Sequence, residues 1–145
     1  NNFSLHIQDY YFKSKNFYVN NLIYGVSYQY SQPNFWFIPV IGLHHQDSTY
    51  YSGQNGYMLR WVFNYNFTVK SEKFLISQWH EMEFDRKKEH FQFSDGKKNG
   101  TNGALSIWWY LNKKITTGIQ YRYADHKLGN DSYQYAYIYS LKYNF

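Results

Sequence analysis

Arg60, Arg122, Lys142 and Glu83 each stand between apolar or aromatic neighbours, and Glu81 stands between His80 and Met82. On an extended strand, successive side chains point to opposite faces. Arg60 therefore faces away from Leu59 and Trp61, and Glu81 and Glu83 face away from Met82 and Phe84. This parity gathers charges of both signs on one face, where two chemistries are open to them. Fully paired, they make a buried ion-pair network that fills an interior, because an unpaired buried charge costs several kcal/mol. Exposed to water, they make a constriction that selects solutes by charge and hydrogen bonding. Trp36, Trp79, Trp108 and Tyr110 share that parity. Their rings can stack a planar base at about 1–3 kcal/mol, hold a guanidinium over a ring face, or pack the interior.

Other chemistries find less support. His44-His-Gln-Asp-Ser48 and Asp125-His126 contain residue types used by hydrolases. A catalytic set also needs nucleophile, base and orienting group in mutual reach, which this spacing does not supply. No catalytic residue is assigned, and the chain does not read as an enzyme. His44 and His45 would point to opposite faces of a strand and have no third partner nearby, so no metal site is assigned. No cofactor or nucleotide-binding motif is present. Cysteine is absent, which removes disulfides and thiolate sites. The formal charge of +5 is scattered through polar stretches and forms no stripe, which argues against nucleic acid as partner.

The elements that must position these residues are strands. From Tyr133 to Phe145, every odd position is apolar or aromatic and the even positions are mostly polar. Similar period-2 segments occur near 2–12, 17–30, 35–45, 57–67, 74–85, 104–111 and 115–123. The third is apolar on both faces; Phe35, Phe37, Ile41 and Leu43 are placed outward, with Trp36 and His44 inside. Gln78 and His80 interrupt the apolar face of the fifth. Aromatics reach 24% of the 145 residues, while the mean hydropathy is −0.72. A membrane helix needs about 18 or more consecutive apolar residues, and no stretch approaches this. Strands of roughly 9–11 residues, apolar on one face and polar on the other, span a bilayer only as a closed barrel.

The expectation is an all-β, antiparallel transmembrane outer-membrane β-barrel of eight strands, one domain over residues 1–145. Trp61, Phe63, Tyr65, Trp109, Tyr121, Tyr143 and Phe145 would face the membrane. Arg60, Trp79, Glu81, Glu83, Trp108, Arg122 and Lys142 would line the interior. Connections near 13–16, 45–56, 86–101 and 125–132 fall at one end and those near 31–34, 69–73 and 112–114 at the other. Long loops outside and short turns on the periplasmic side are what such barrels show. The basic stretches Arg86-Lys-Lys-Glu-His90 and Gly96-Lys-Lys98 then read as a solvated loop touching anionic lipopolysaccharide. No signal peptide opens the chain, which reads as a mature form or as starting partway through a longer product.

Asn55-Gly-Tyr-Met-Leu-Arg-Trp-Val-Phe-Asn-Tyr-Asn-Phe67, the following strand ending in Glu83-Phe84-Asp85, and the closing Tyr139-Ser-Leu-Lys-Tyr-Asn-Phe145 resemble strands of the nucleoside-specific channel-forming (Tsx-type) outer-membrane proteins. The segments 20–30 and 115–128 fit the same order. The resemblance implies a monomeric channel in the bacterial outer membrane that passes nucleosides or similar small solutes by passive diffusion. Its partners would be outer-membrane lipid and the barrel assembly machinery. It also implies a twelve-stranded barrel, of which this chain supplies eight strands. Either further strands precede them or this is a short relative that closes with eight. A narrow eight-stranded barrel is filled by side chains, so a non-conducting barrel acting as anchor, adhesin or surface receptor stands as the alternative.

Overall fold

The computed structural model describes residues 2–49, 52–87, 97–126 and 132–144, with the backbone alone at 54 and 55. Within these lie eight strands: β1 (Asn2–Lys13), β2 (Tyr18–Gln32), β3 (Phe35–Ser48), β4 (Ser52–Val69), β5 (Glu72–Phe84), β6 (Gly100–Tyr110), β7 (Ile115–Asp125) and β8 (Gln134–Tyr143). They form one antiparallel sheet in chain order. Among the described residues, β1 pairs only with β2 and β8 only with β7, so the sheet is open. It is strongly curled, since side chains on one face meet across intervening strands. Gln8 of β1 accepts a bond from Arg60 of β4 at 2.5 Å, and His44 of β3 reaches Glu83 of β5 at 3.1 Å.

The ladder register carries each face across the sheet. Val40, Arg60, Glu81, Asn102 and Ala124 are successive register partners, forming an inner row. Tyr65, Ile76, Ile107, Ile119 and Tyr139 form an outer one. Every buried hydrophobic residue described lies on the inner face: Ile23, Val40, Met58, Ala104 and Ala124. The outer face leaves Leu5, Ile41, Tyr139 and Leu141 at 65–84% exposure. A water-soluble sheet could not leave so broad an apolar band uncovered. The third strand takes the expected orientation, with His44 and Val40 buried and Ile41 exposed.

One expectation needs correction. The polar stretch 45–56 is not a loop. β3 continues to Ser48 and β4 begins at Ser52, leaving only 49–51 as the connection. Gln46 and Asp47 pair with Asn21 and Asn20 on one side and with Gly53 and Ser52 on the other. Ladder bonds are made by backbone groups, so a strand runs on into water when its side chains turn polar. A register shift between His44 and His45 accommodates Asn55 as an extra residue in β4. The interruption of the outer face by Gln78 and His80 is also resolved. Trp61 Nε1 donates to Gln78 Oε1 at 3.3 Å. His80 is held by Thr101 through Nε2 at 3.1 Å and by the Tyr123 hydroxyl through Nδ1. Neighbouring aromatic and hydroxyl groups thus bond both polar side chains. Phe145, assigned to the membrane-facing set, lies outside the described residues.

Turn chemistry sets the hairpins. Asn112 Oδ1 accepts from the backbone N–H of Lys114 and Ile115 at 2.8 and 2.9 Å, closing the β6–β7 turn. Lys70 and Ser71 join β4 to β5 with φ of 46° and 72°. Two left-handed residues match the twist of a two-residue hairpin, at a cost of about 1–2 kcal/mol for each residue bearing a Cβ. Ser71→Gly removes one such cost. It is expected to raise stability by about 1 kcal/mol, read from the urea midpoint of the chain folded into lipid vesicles. An unchanged or lower midpoint would contradict the strained-turn account.

Candidate functional site

The inner face is built from the polar parity of β3 to β8. Near its middle, Arg60 is the register partner of Glu81, and Glu81 of Asn102. Arg60 donates from Nη1 to Gln8, while its Nε is buried without a hydrogen-bond partner among the described residues. Asn102 Oδ1 is in the same position. In the neighbouring row, Trp79, Ala104, Arg122 and Ala136 are register partners. The two alanines leave Arg122 exposed between short side chains. It does not meet Glu81 or Glu83, which belong to rows nearer the loop-bearing end. Trp79 has no ring partner among the described residues. Trp108 does: Lys142 Nζ stands 4.1 Å from its ring centroid, and the ring also lies against Gly118, where a Cβ would come within 2.4 Å of it.

Glu83 has a different environment from the other interior carboxylate. At 6% exposure its Oε1 lies 3.1 Å from His44 Nδ1 and its Oε2 3.8 Å from Arg86 Nη1. The second nitrogen of His44 lies 2.8 Å from Asn21 Oδ1. His44 and Glu83 are two strands apart and meet across β4 beside Gly56, the register partner of His44. Arg86, read from sequence as part of a solvated basic loop, is buried instead, at 6% exposure. Burial pulls the pKa of its guanidinium down from the ordinary value, and the Glu83 carboxylate opposes that shift. His45 and Asp47 lie on the opposite face from His44, and His126 pairs with its neighbour Asp125 at 3.4 Å. The residue types of a hydrolase are therefore present but dispersed.

Sequence reasoning assigns the faces of the charges and tryptophans, and of Asn21 and Gln8, but not the partners of Asn21 and Gln8, and it places Asn102 and Arg86 in no site. Inward parity extends to Asn102 as well, beside the expected 86–101 loop. Nothing in the sequence links Gln8 to Arg60, which are 52 positions apart. That contact exists only because the sheet curls.

The outer face carries two aromatic belts. Toward the short turns, Tyr65, Phe67, Phe74 and Trp109 stack in series with centroids 5.3–6.0 Å apart. Toward the longer connections, Tyr121, Tyr123, Tyr133, Tyr135 and Tyr137 form a second cluster. Ile76, Ile107 and Ile119 lie between them. An aliphatic band between aromatic girdles is the lipid-facing pattern of outer-membrane barrels. The family model for the nucleoside-specific channel-forming protein Tsx matches residues 2–145.

The chain belongs to that family. Tsx proteins are outer-membrane channels of Gram-negative bacteria, and the family is one of channels rather than enzymes. The sheet is accordingly of the antiparallel outer-membrane β-barrel class, open among the described residues. No solved structure matches the chain. Trp61, Phe63, Tyr65, Trp109, Tyr121 and Tyr143 all lie on the outer face with the aromatic belts. Ile107→Arg places a charge within the aliphatic band of a Tsx-family sheet. Such a change near the bilayer midplane costs about 2–4 kcal/mol. The expected result is a loss of that order in denaturant stability in lipid vesicles; tolerance of the arginine would contradict a lipid-facing band here.

Proposed function

We propose that this chain lines a passive diffusion pathway for nucleosides and similar small polar solutes, with the inner face as its lining. Family membership over residues 2–145 carries the reading. The inner face supports it chemically. Arg60, Glu81 and Asn102 offer donors and acceptors for sugar hydroxyls, and Trp79, one row away, offers an open ring for a base. Arg122 adds an exposed cation in the Trp79 row. Trp108 and Lys142 hold each other, and Glu83 is held by His44 and Arg86. These five serve the shape of the lining more than solute contact. Partners in this reading are outer-membrane lipid and lipopolysaccharide, the barrel assembly machinery and the solute, with the protein acting as a monomer.

One observation favours a second reading, a non-conducting barrel. The Arg60–Gln8 bond crosses from β4 to β1 and occupies the space a pathway would need. Planar-bilayer conductance of the refolded chain, with nucleosides added as blockers, separates the two. The diffusion reading expects conductance that nucleosides block. Trp79→Ala should then raise the half-blocking concentration by about 5- to 150-fold, equivalent to about 1–3 kcal/mol of stacking. Trp108→Ala should change it much less. Conductance indifferent to nucleosides would remove the solute assignment, and a folded, heat-modifiable chain that does not conduct would favour the second reading.

A further inference from the structure

Strand ends and two connections converge on Arg86. Asp85, at φ 50°, turns the chain sharply after β5. Its N–H takes the Asn99 side-chain oxygen at 3.2 Å, and the next N–H, of Arg86, bonds the Lys98 carbonyl at 3.0 Å. The guanidinium is thereby directed inward. Its Nη2 donates to the carbonyls of Lys97 at 3.1 Å and His126 at 2.7 Å, and Nε lies 3.4 Å from the Lys98 carbonyl. Its Nη1 faces Glu83, which His44 holds from β3. Lys97 and Lys98 belong to the connection before β6, and His126 to the connection after β7. One side chain therefore ties the β5–β6 connection to the β7–β8 connection and ties both to the strand ends.

Space for this clasp comes from two glycines. A Cβ at Gly100 would lie 2.8 Å from Arg86 Nη2 and 2.4 Å from the His126 carbonyl oxygen. A Cβ at Gly56 would lie 2.4 Å from the Phe84 carbonyl oxygen and 3.3 Å from Arg86 Cα. A surface arginine would need neither. Guanidinium suits the position because its planar fork donates in several directions at once, whereas an ammonium is a compact charge on a flexible stem.

We propose that Arg86 is a positioning residue for the loop-bearing mouth of the barrel. It fixes the described ends of the β5–β6 and β7–β8 connections relative to each other, and so sets the outline through which solute enters. The consequence for solute passage rests on the channel reading; the geometric consequence does not. The test uses the refolded full chain, with folding checked by heat-modifiability on a gel. Spin labels at Lys98→Cys and Asp125→Cys report the separation of the two connections, and single-channel recording reports the mouth. The parent is expected to give one narrow distance and one main current level. Arg86→Lys, which keeps the charge and loses the fork, is expected to broaden the distance and split the current into several levels. Glu83→Gln, which leaves the carbonyl contacts and removes the anchoring charge, is expected to do the same to a smaller degree. Distances and currents matching the parent in both variants would overturn the proposal. If Arg86→Lys does not fold, Glu83→Gln decides alone, and an unchanged distance there overturns it. A parent that folds but carries no current would count against the channel reading, while the distance measurement still tests the clasp.

Discussion

Inside a bilayer no water is available to a backbone N–H or C=O, so each must find its partner within the protein. The antiparallel ladder meets that constraint strand by strand, and the rest of this structure depends on it. Because ladder bonds lie in the sheet, side chains are left to the two faces with period 2, one for lipid and one for the interior. Tyr65, Ile76, Ile107, Ile119 and Tyr139 on one side, and Val40, Arg60, Glu81, Asn102 and Ala124 on the other, are the direct products of that geometry. The same constraint gives the outermost strands their character. β1 and β8 each have one ladder among the described residues, and their side chains are exposed almost throughout.

The hydrophobic core is correspondingly slight. Met58 is the one large side chain fully buried among the described residues, and Ile23 and Val40 complete its cluster. In a water-soluble sheet so little buried apolar area would be a weakness. Here the apolar residues face outward, where aromatic rings stack along both margins of an aliphatic band. The interior is left to polar groups, which must satisfy one another or meet water and solute. The two carboxylates illustrate the division. Glu83 is enclosed by His44 and Arg86, while Glu81 stands in the row of Arg60 and Asn102, where buried polar atoms remain unpartnered among the described residues. An enclosed, fully engaged charge stabilises a shape. A row with unpartnered donors and acceptors has capacity left for something else.

This division gives the Tsx-family membership a physical content in the chain itself. The lining is neither uniformly charged nor uniformly aromatic. It alternates polar rows with tryptophans, of which Trp108 is committed to Lys142 and Gly118 while Trp79 has no ring partner among the described residues. At the loop-bearing end the character changes again. There the polar groups converge on a single guanidinium, and glycines rather than side chains flank it.

The alternation in β4 and β8 was legible from sequence because period 2 is a local property, requiring only that one face meet an apolar medium. Face assignment followed, including that of Arg60, Glu81 and Trp79, as did the short turns expected near 31–34, 69–73 and 112–114 and found at 33–34, 70–71 and 111–114. The extent of β3 and β4 was not legible. Side-chain polarity reports where the apolar surroundings end, whereas the ladder ends only where backbone pairing does. Nor was the fate of Arg86 legible: in sequence it heads a basic run, and only a left-handed Asp85 and two distant glycines bring it inward. The sequence by itself determined the strands, their two faces and the family, all of which depend on neighbours along the chain. Which polar residues meet was left to the tertiary structure. Contacts such as His44–Glu83 and Gln8–Arg60 join strands that share no ladder, and they exist only once register, bulge and curl have been set together.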